Sequence, residues 1–306
     1  MTAPIAPPPQ YVTLTSPHFG AAYALGSAFM WALTSLLVRR LGAKTSMMTI
    51  NAVRVGASGL VLLALAFAGT ARAEIVAMSL ATFVLIASST VIAAGIGDSI
   101  FFECVRILGL GRAMTVASSY PLLAACFAAA ALGESLTLRS SMGAVMTLAG
   151  LVLILGGRGE HGDPRRVRWH GVVGALGVAV LWALSAILMK PAMRDLSPLT
   201  AQGIRLPIVA LFLWATPWAR AGLPALREAG RSVVAPLIVL SALTAVSSLM
   251  WVAGLKYSNV MVATVLSSTS PMFALVLGAL FLGERLTPHA VGGAVLTVAG
   301  IVVLKA

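Results

Sequence analysis

The chain reads as an all-α integral membrane protein, with ten transmembrane helices arranged as two inverted five-helix repeats. Three observations predict this class. Of the 306 residues, 59% are hydrophobic and only 10% charged, with mean hydropathy +0.98, whereas soluble domains carry roughly a quarter charged residues. The apolar residues gather into runs of about twenty, the length a helix needs to cross a bilayer. A stretch at 113–152 recurs at 263–302, shifted by 150: Pro121 matches Pro271, and Gly133-Glu134 matches Gly283-Glu284. Leu136-Thr137 likewise matches Leu286-Thr287, while Gly143 and Gly150 match Gly293 and Gly300.

Residues 1–19 are proline-rich, lack the basic start and apolar core of a signal peptide, and read as a disordered tail. The first repeat, 20–156, holds apolar runs at 20–38, 47–68, 80–107, 112–132 and 139–156. The third run is too short for two spans and reads as one long helix bent near Gly95-Ile96-Gly97. A polar linker with Gly and Pro occupies 157–169. The second repeat, 170–306, places its runs at 170–189, 198–218, 232–256, 260–282 and 288–304. Trp31-Ala32-Leu33 matches Trp182-Ala183-Leu184, and Asn51 and Arg54 match Gln202 and Arg205, so the duplication spans the whole half. Because five is odd, the second half enters the membrane from the opposite face, which makes the repeats inverted and suits alternating access.

The net charge of +12 does not point to nucleic acid, because the basic residues lie almost entirely in breaks between apolar runs. Arg39, Arg40, Arg158, Arg165, Arg166, Arg168, Arg220, Arg227 and Arg231 all fall on the face opposite the termini. The positive-inside rule therefore places both termini outside. Cys104 and Cys126 lie inside apolar runs without metal or redox spacing and read as buried free thiols.

The matched Trp-Ala-Leu, the arginine early in each second helix, and the mid-helix proline followed by Gly-Glu-x-Leu-Thr have a family counterpart. Together they resemble the EamA-type transporters of the drug/metabolite transporter superfamily, over about 20–304. The resemblance implies a ten-helix exporter or importer of small metabolites in the cell membrane, with a central cavity between the halves. It also implies cytoplasmic termini, opposite to the charge tally. Small relatives in that superfamily couple to protons through a glutamate in the first helix. The first helix here has no acid, so that mechanism does not carry over.

Several residues stand out against the apolar background. Asp98 and Glu103 lie in the long third helix, where an acid is costly unless paired or protonated. Each is a candidate coupling or cation-binding site, or a neutralising partner for an intramembrane arginine. Arg54 and Arg205, with Asn51 and Gln202 one turn earlier on the same faces, either meet anionic or zwitterionic substrate groups or snorkel toward headgroups. Pro121 and Pro271 free the carbonyls of Ala117 and Ser267 at mid-span, next to Ser119 and Tyr120 and to Thr269 and Ser270. Such groups either line a watery cavity or are repaired by hydroxyls. Trp31 and Trp182 are either cavity walls or core. Glu134 and Glu284 suit turns and caps, and Lys190 and Lys256 suit interfacial anchoring.

Transport is the function class these features favour, with a small-molecule substrate, protons as the coupling candidate and no cofactor or metal. No Walker loop is present. His18, His161, His170 and His289 sit in loops or at span edges without a nucleophile or paired acids, which speaks against an intramembrane enzyme. A non-transporting membrane sensor or scaffold is the alternative reading.

Overall fold

The structure, a computed structural model, describes residues 17–41, 46–69, 71–108, 110–156, 169–282 and 286–305. Most of the expected tail and of the linker lies outside these residues, while 17–19, assigned to the tail by sequence, form the start of the first helix. Helices fill almost all of the described chain. In the first half they are α1 (Pro17–Leu41), α2 (Met47–Ala68), the short α3 (Ala71–Ala77), α4 (Leu80–Thr90), α5 (Asp98–Leu108), α6 (Leu110–Ala117), α7 (Tyr120–Leu132) and α8 (Leu138–Gly156). In the second half they are α9 (Trp169–Ala192), α10 (Pro198–Ala215), the short α11 (Pro217–Ala221) and α12 (Leu223–Ala229), α13 (Arg231–Tyr257), α14 (Val260–Ser267), α15 (Ser270–Leu282) and α16 (Pro288–Lys305).

Seven spans among the described residues are long and apolar enough to cross a membrane, starting at Met48, Leu80, Leu138, Trp169, Pro198, Arg231 and Val260. Three shorter apolar helices, Phe19–Thr34, Tyr120–Leu132 and Pro288–Leu304, accompany them. Outward faces carry exposed large apolar side chains such as Leu60, Leu211, Leu280 and Val295, as lipid contact requires. Cys126 lies on such a face and is exposed, so only Cys104 is the buried thiol the sequence suggests.

Two expected irregularities acquire definite geometry. The bend anticipated near Gly95 is a π-helical segment, Val91–Gly97, joining α4 to α5. The mid-span prolines split their helices: α6 stops at Ala117 and α14 at Ser267, and each chain restarts within three residues. Hydroxyls repair the breaks. Ser118 donates to Met114 O and Ser119 to Val116 O, while Ser268 donates to Thr264 O and Thr269 to Leu266 O.

Packing between the halves comes in exchanged pairs. Helix α1 lies against α13, α14 and α15, while α9, its counterpart, lies against α4, α5, α6 and α7. The remaining pairs, α2 with α10 and α8 with α16, are formed between counterparts themselves. The α8–α16 crossing is the tightest. A Cβ on Gly150 would lie 2.5 Å from Gly293 O and Thr297 N, and one on Gly300 would lie 2.4 Å from Thr147 N. Small residues let the backbones meet, which in lipid replaces the hydrophobic drive that water would supply. A large core cluster joins Ile187, Met189, Met193 and Leu196 to Ile86, Val252 and Leu255, so residues from both halves share it.

Candidate functional site

The π-helical segment delivers Asp98 to the start of α5, half-buried within the bundle. Trp182 of α9 donates its indole N–H to Asp98 Oδ1 at 3.0 Å. Gly97 makes room for that indole, since a Cβ there would sit 3.2 Å from Trp182 Cδ1 and Nε1. Around the ring stand Phe101, 5.3 Å between centroids, and Tyr120, edge-on at 5.7 Å. Tyr120 opens α7 after the Ser119 break and donates its hydroxyl to Thr264 O across to α14, at 3.3 Å. The acid from one half is thus held by an aromatic from the other.

The two arginines turn inward rather than snorkel. Arg54 is buried, donating from Nε to Asn51 Oδ1 at 2.9 Å and from a terminal nitrogen to Thr244 Oγ at 3.1 Å. Its guanidinium lies 5.0 Å from the centre of the Trp31 ring, an attraction that strengthens when water is excluded. Arg205 rests 4.8 Å over Trp251. Asp98 acts electrostatically on both arginines.

The equivalent bonds of the two halves differ. Asn51 accepts from Arg54 Nε, whereas Gln202 Oε1 and Arg205 Nε are both buried without a partner. Gln202 instead directs its N–H to Ser248 O at 2.8 Å.

Other candidates fall elsewhere. Glu103 is exposed, one turn and a half beyond Asp98. Pro121, Thr269 and Pro271 are buried in the helix breaks, with Ser119 and Ser270 half-buried beside them, and of this group only Tyr120 reaches the aromatic cluster. Trp251, Thr244, Thr264 and Phe101 join the site without having been singled out by sequence.

One end of the bundle carries a second polar network. Glu74 of α3 accepts from Ser197 N and from the Thr200 hydroxyl, both at 2.6 Å, at the start of α10. Glu134 accepts from Val260 N at 2.8 Å and caps α14. The capping role expected for Glu134 is therefore met on a helix of the other half, while Glu284 lies outside the described residues. Lys190 donates to Leu255 O and Ser258 O at the end of α13, and Lys256 donates to Leu196 O in the turn between α9 and α10 at 2.6 Å. Burial pushes the Glu74 carboxyl up, but the Ser197 N–H, the two hydroxyls and the Lys256 charge outweigh it and hold the group below its ordinary value. Burial holds Glu134 above its ordinary value against the Val260 N–H and Lys190.

A groove of about 660 Å³ between α1, α15 and α16 does not coincide with this chemistry. It is lined by apolar residues such as Phe29, Phe273 and Val298 and suits a lipid tail better than a polar solute. Among the described residues, no three His, Cys, Asp or Glu side chains are placed to hold a metal.

Comparison with known proteins gives a consistent answer. An uncharacterized transporter of Archaeoglobus fulgidus is 26% identical over 285 residues, covering 92% of this chain and 96% of its own. A protein of solved crystal structure superposes with TM-score 0.75 at 21% identity, over 95% of this chain and 98% of its own, which shows a shared fold. The pattern of the EamA-like transporter family matches residues 18–156 and again 169–305. With both stretches matched, this multi-pass membrane protein belongs to the EamA-like transporter family.

Proposed function

We propose that the protein is a secondary active transporter, working as an exporter of a small metabolite such as an amino acid or related compound. Ten spanning helices form two inverted halves, 20–156 and 170–306 around the linker at 157–169, which rock about a central site. The observation that carries this reading is the cluster to which both halves contribute: Asp98, Arg54 and Trp31 from one, Trp182, Arg205 and Trp251 from the other. Charged groups at mid-bundle are retained where substrate or ion passes. Asp98 is the coupling carboxylate in this scheme, binding and releasing a proton as its indole and arginine partners move. Tyr120 and Trp182 wall the path. The paired helix breaks at Pro121 and Pro271 supply the backbone irregularity from which midplane sites in such folds are built.

Untargeted mass spectrometry of the medium, comparing overproducing cells with cells lacking the protein, tests the reading. A metabolite enriched outside the overproducers names the substrate class and the direction. Depletion reverses the direction. No difference across several growth conditions removes the transport reading and favours a non-transporting sensor or scaffold.

A further inference from the structure

We propose that the transported substrate is a monoanionic organic carboxylate and that Arg205 binds its carboxylate through the Nε edge of the guanidinium. The inference rests on the transport reading above and narrows its cargo: of the amino acids and related compounds named there, it keeps those with one net negative charge and sets the neutral zwitterions aside. Three observations support it. Among the described residues the central cluster sets two guanidinium cations, Arg54 and Arg205, against one carboxylate, Asp98, so with Asp98 ionised one positive charge is unmatched. A buried charge without a partner is expensive in a low-dielectric interior, and a bound monoanion removes that cost. A zwitterion leaves the excess in place, and a phosphate dianion reverses it.

The second observation is the difference between the halves. A carboxylate engages arginine best through two parallel N–H groups, and the Nε edge offers such a pair. In Arg54 that edge is closed, because Nε already donates to Asn51 at 2.9 Å. In Arg205 it is open: Nε is buried and lacks a partner, and the matching Gln202 directs its N–H to Ser248 instead. Buried unsatisfied donors are uncommon in native proteins, and functional sites are where they are kept. The Arg205 guanidinium lies 4.8 Å from the centre of the Trp251 ring, a cation–π contact that uses none of its N–H donors.

The third observation is the surrounding surface. Trp31, Trp182, Trp251, Tyr120 and Phe101 converge on these charges and supply flat apolar contact for an organic body beyond the carboxylate.

A charge series on the purified full-length protein in detergent tests the proposal. Phenylacetate, phenylacetamide, phenethylamine and phenyl phosphate share a ring and differ in charge. At millimolar concentration, phenylacetate is expected to raise the thermal unfolding midpoint, and the amide and amine to leave it unmoved. Arg205→Gln should weaken phenylacetate binding roughly tenfold or more, with Arg205→Lys retaining part of it, as loss of a charge-assisted hydrogen bond implies. The proposal is overturned if the amine or amide stabilises as well as the acid, if phenyl phosphate stabilises better than phenylacetate, or if none of the four acts. It is also overturned if Arg205→Gln keeps the preference for the acid. Proteoliposomes loaded with a total cell metabolite extract separate the two levels. Efflux confined to neutral or cationic compounds overturns the carboxylate inference and leaves transport standing, whereas no efflux at all removes transport as well.

Discussion

Replacing Gly150 by alanine puts one methyl group into the close backbone crossing of α8 and α16 between the two halves. The added Cβ would lie 2.4 Å from Thr297 Oγ1 and 2.5 Å from Thr297 N and Gly293 O. An ordinary carbon contact needs about 3.4 Å or more, so α8 and α16 must separate by roughly 0.9 Å. Rotation of one side chain cannot provide this, because two of the three obstructing atoms belong to backbone. Separation on that scale forfeits a quarter to a half of each dispersion contact along the crossing. Overpacking of this kind costs about 1–3 kcal/mol, equivalent to a fall in melting midpoint of roughly 3–10 °C. Gly292 is the internal control, since a Cβ there meets nothing within 4 Å. Gly292→Ala should be neutral or slightly stabilising through helix propensity, by up to about 1 kcal/mol. The assay is thermal unfolding of the two variants and the parent in one detergent. Gly150→Ala proving no less stable than Gly292→Ala would refute the packing account of this crossing.

Three further predictions concern the charged groups. Asp98→Asn should abolish gradient-driven uptake into proteoliposomes while leaving exchange partly intact; unchanged driven transport removes Asp98 from the coupling mechanism. Glu74→Gln should lower stability near neutral pH by about 1 kcal/mol, the usual worth of a helix cap. Because the folded carboxyl titrates below its unfolded value of about 4.3, its stabilisation is present above that pH and disappears as pH falls through the lower folded value. The melting difference between parent and variant should therefore close in acid, and a constant difference across the range contradicts the ionic cap. The positive-inside tally predicts external termini: alkaline phosphatase fused after Ala306 should be active and a fluorescent protein there dark, with the reverse result assigning cytoplasmic termini.

Helix placement was legible because lipid imposes it locally. The apolar runs at 47–68, 198–218 and 260–282 correspond to α2, α10 and the α14–α15 pair within a few residues. Charged and aromatic residues inside such runs were visible for the same reason, so Asp98, Arg54, Arg205, Trp31 and Trp182 stood out before any contact was known. Their partners did not. Thr244 and Trp251 occupy unremarkable positions in α13, and only the tertiary packing brings them to Arg54 and Arg205. Sequence leaves both fates of the arginines open, because helix position gives distance along the axis and not which face meets neighbours. Likewise the Gly-Glu pair signalled a cap, but that Glu134 serves α14 across the molecule depends on how distant helices pack.

The π-helical segment ahead of Asp98 makes helical register a separable variable. Its wider turn accommodates an additional residue relative to a continuous α-helix. Deleting one residue within 91–97 would let α4 run into α5 as an unbroken helix, at little cost to the helix itself. Because the wide turn absorbs the extra residue, that deletion would leave α5 facing much as before, whereas deleting a residue from α4, where nothing absorbs it, would turn the Asp98 carboxylate by about 100° away from Trp182. The segment from Val91 to Gly97 is therefore the place where the length of this span can change by one residue with little change in where the acid points.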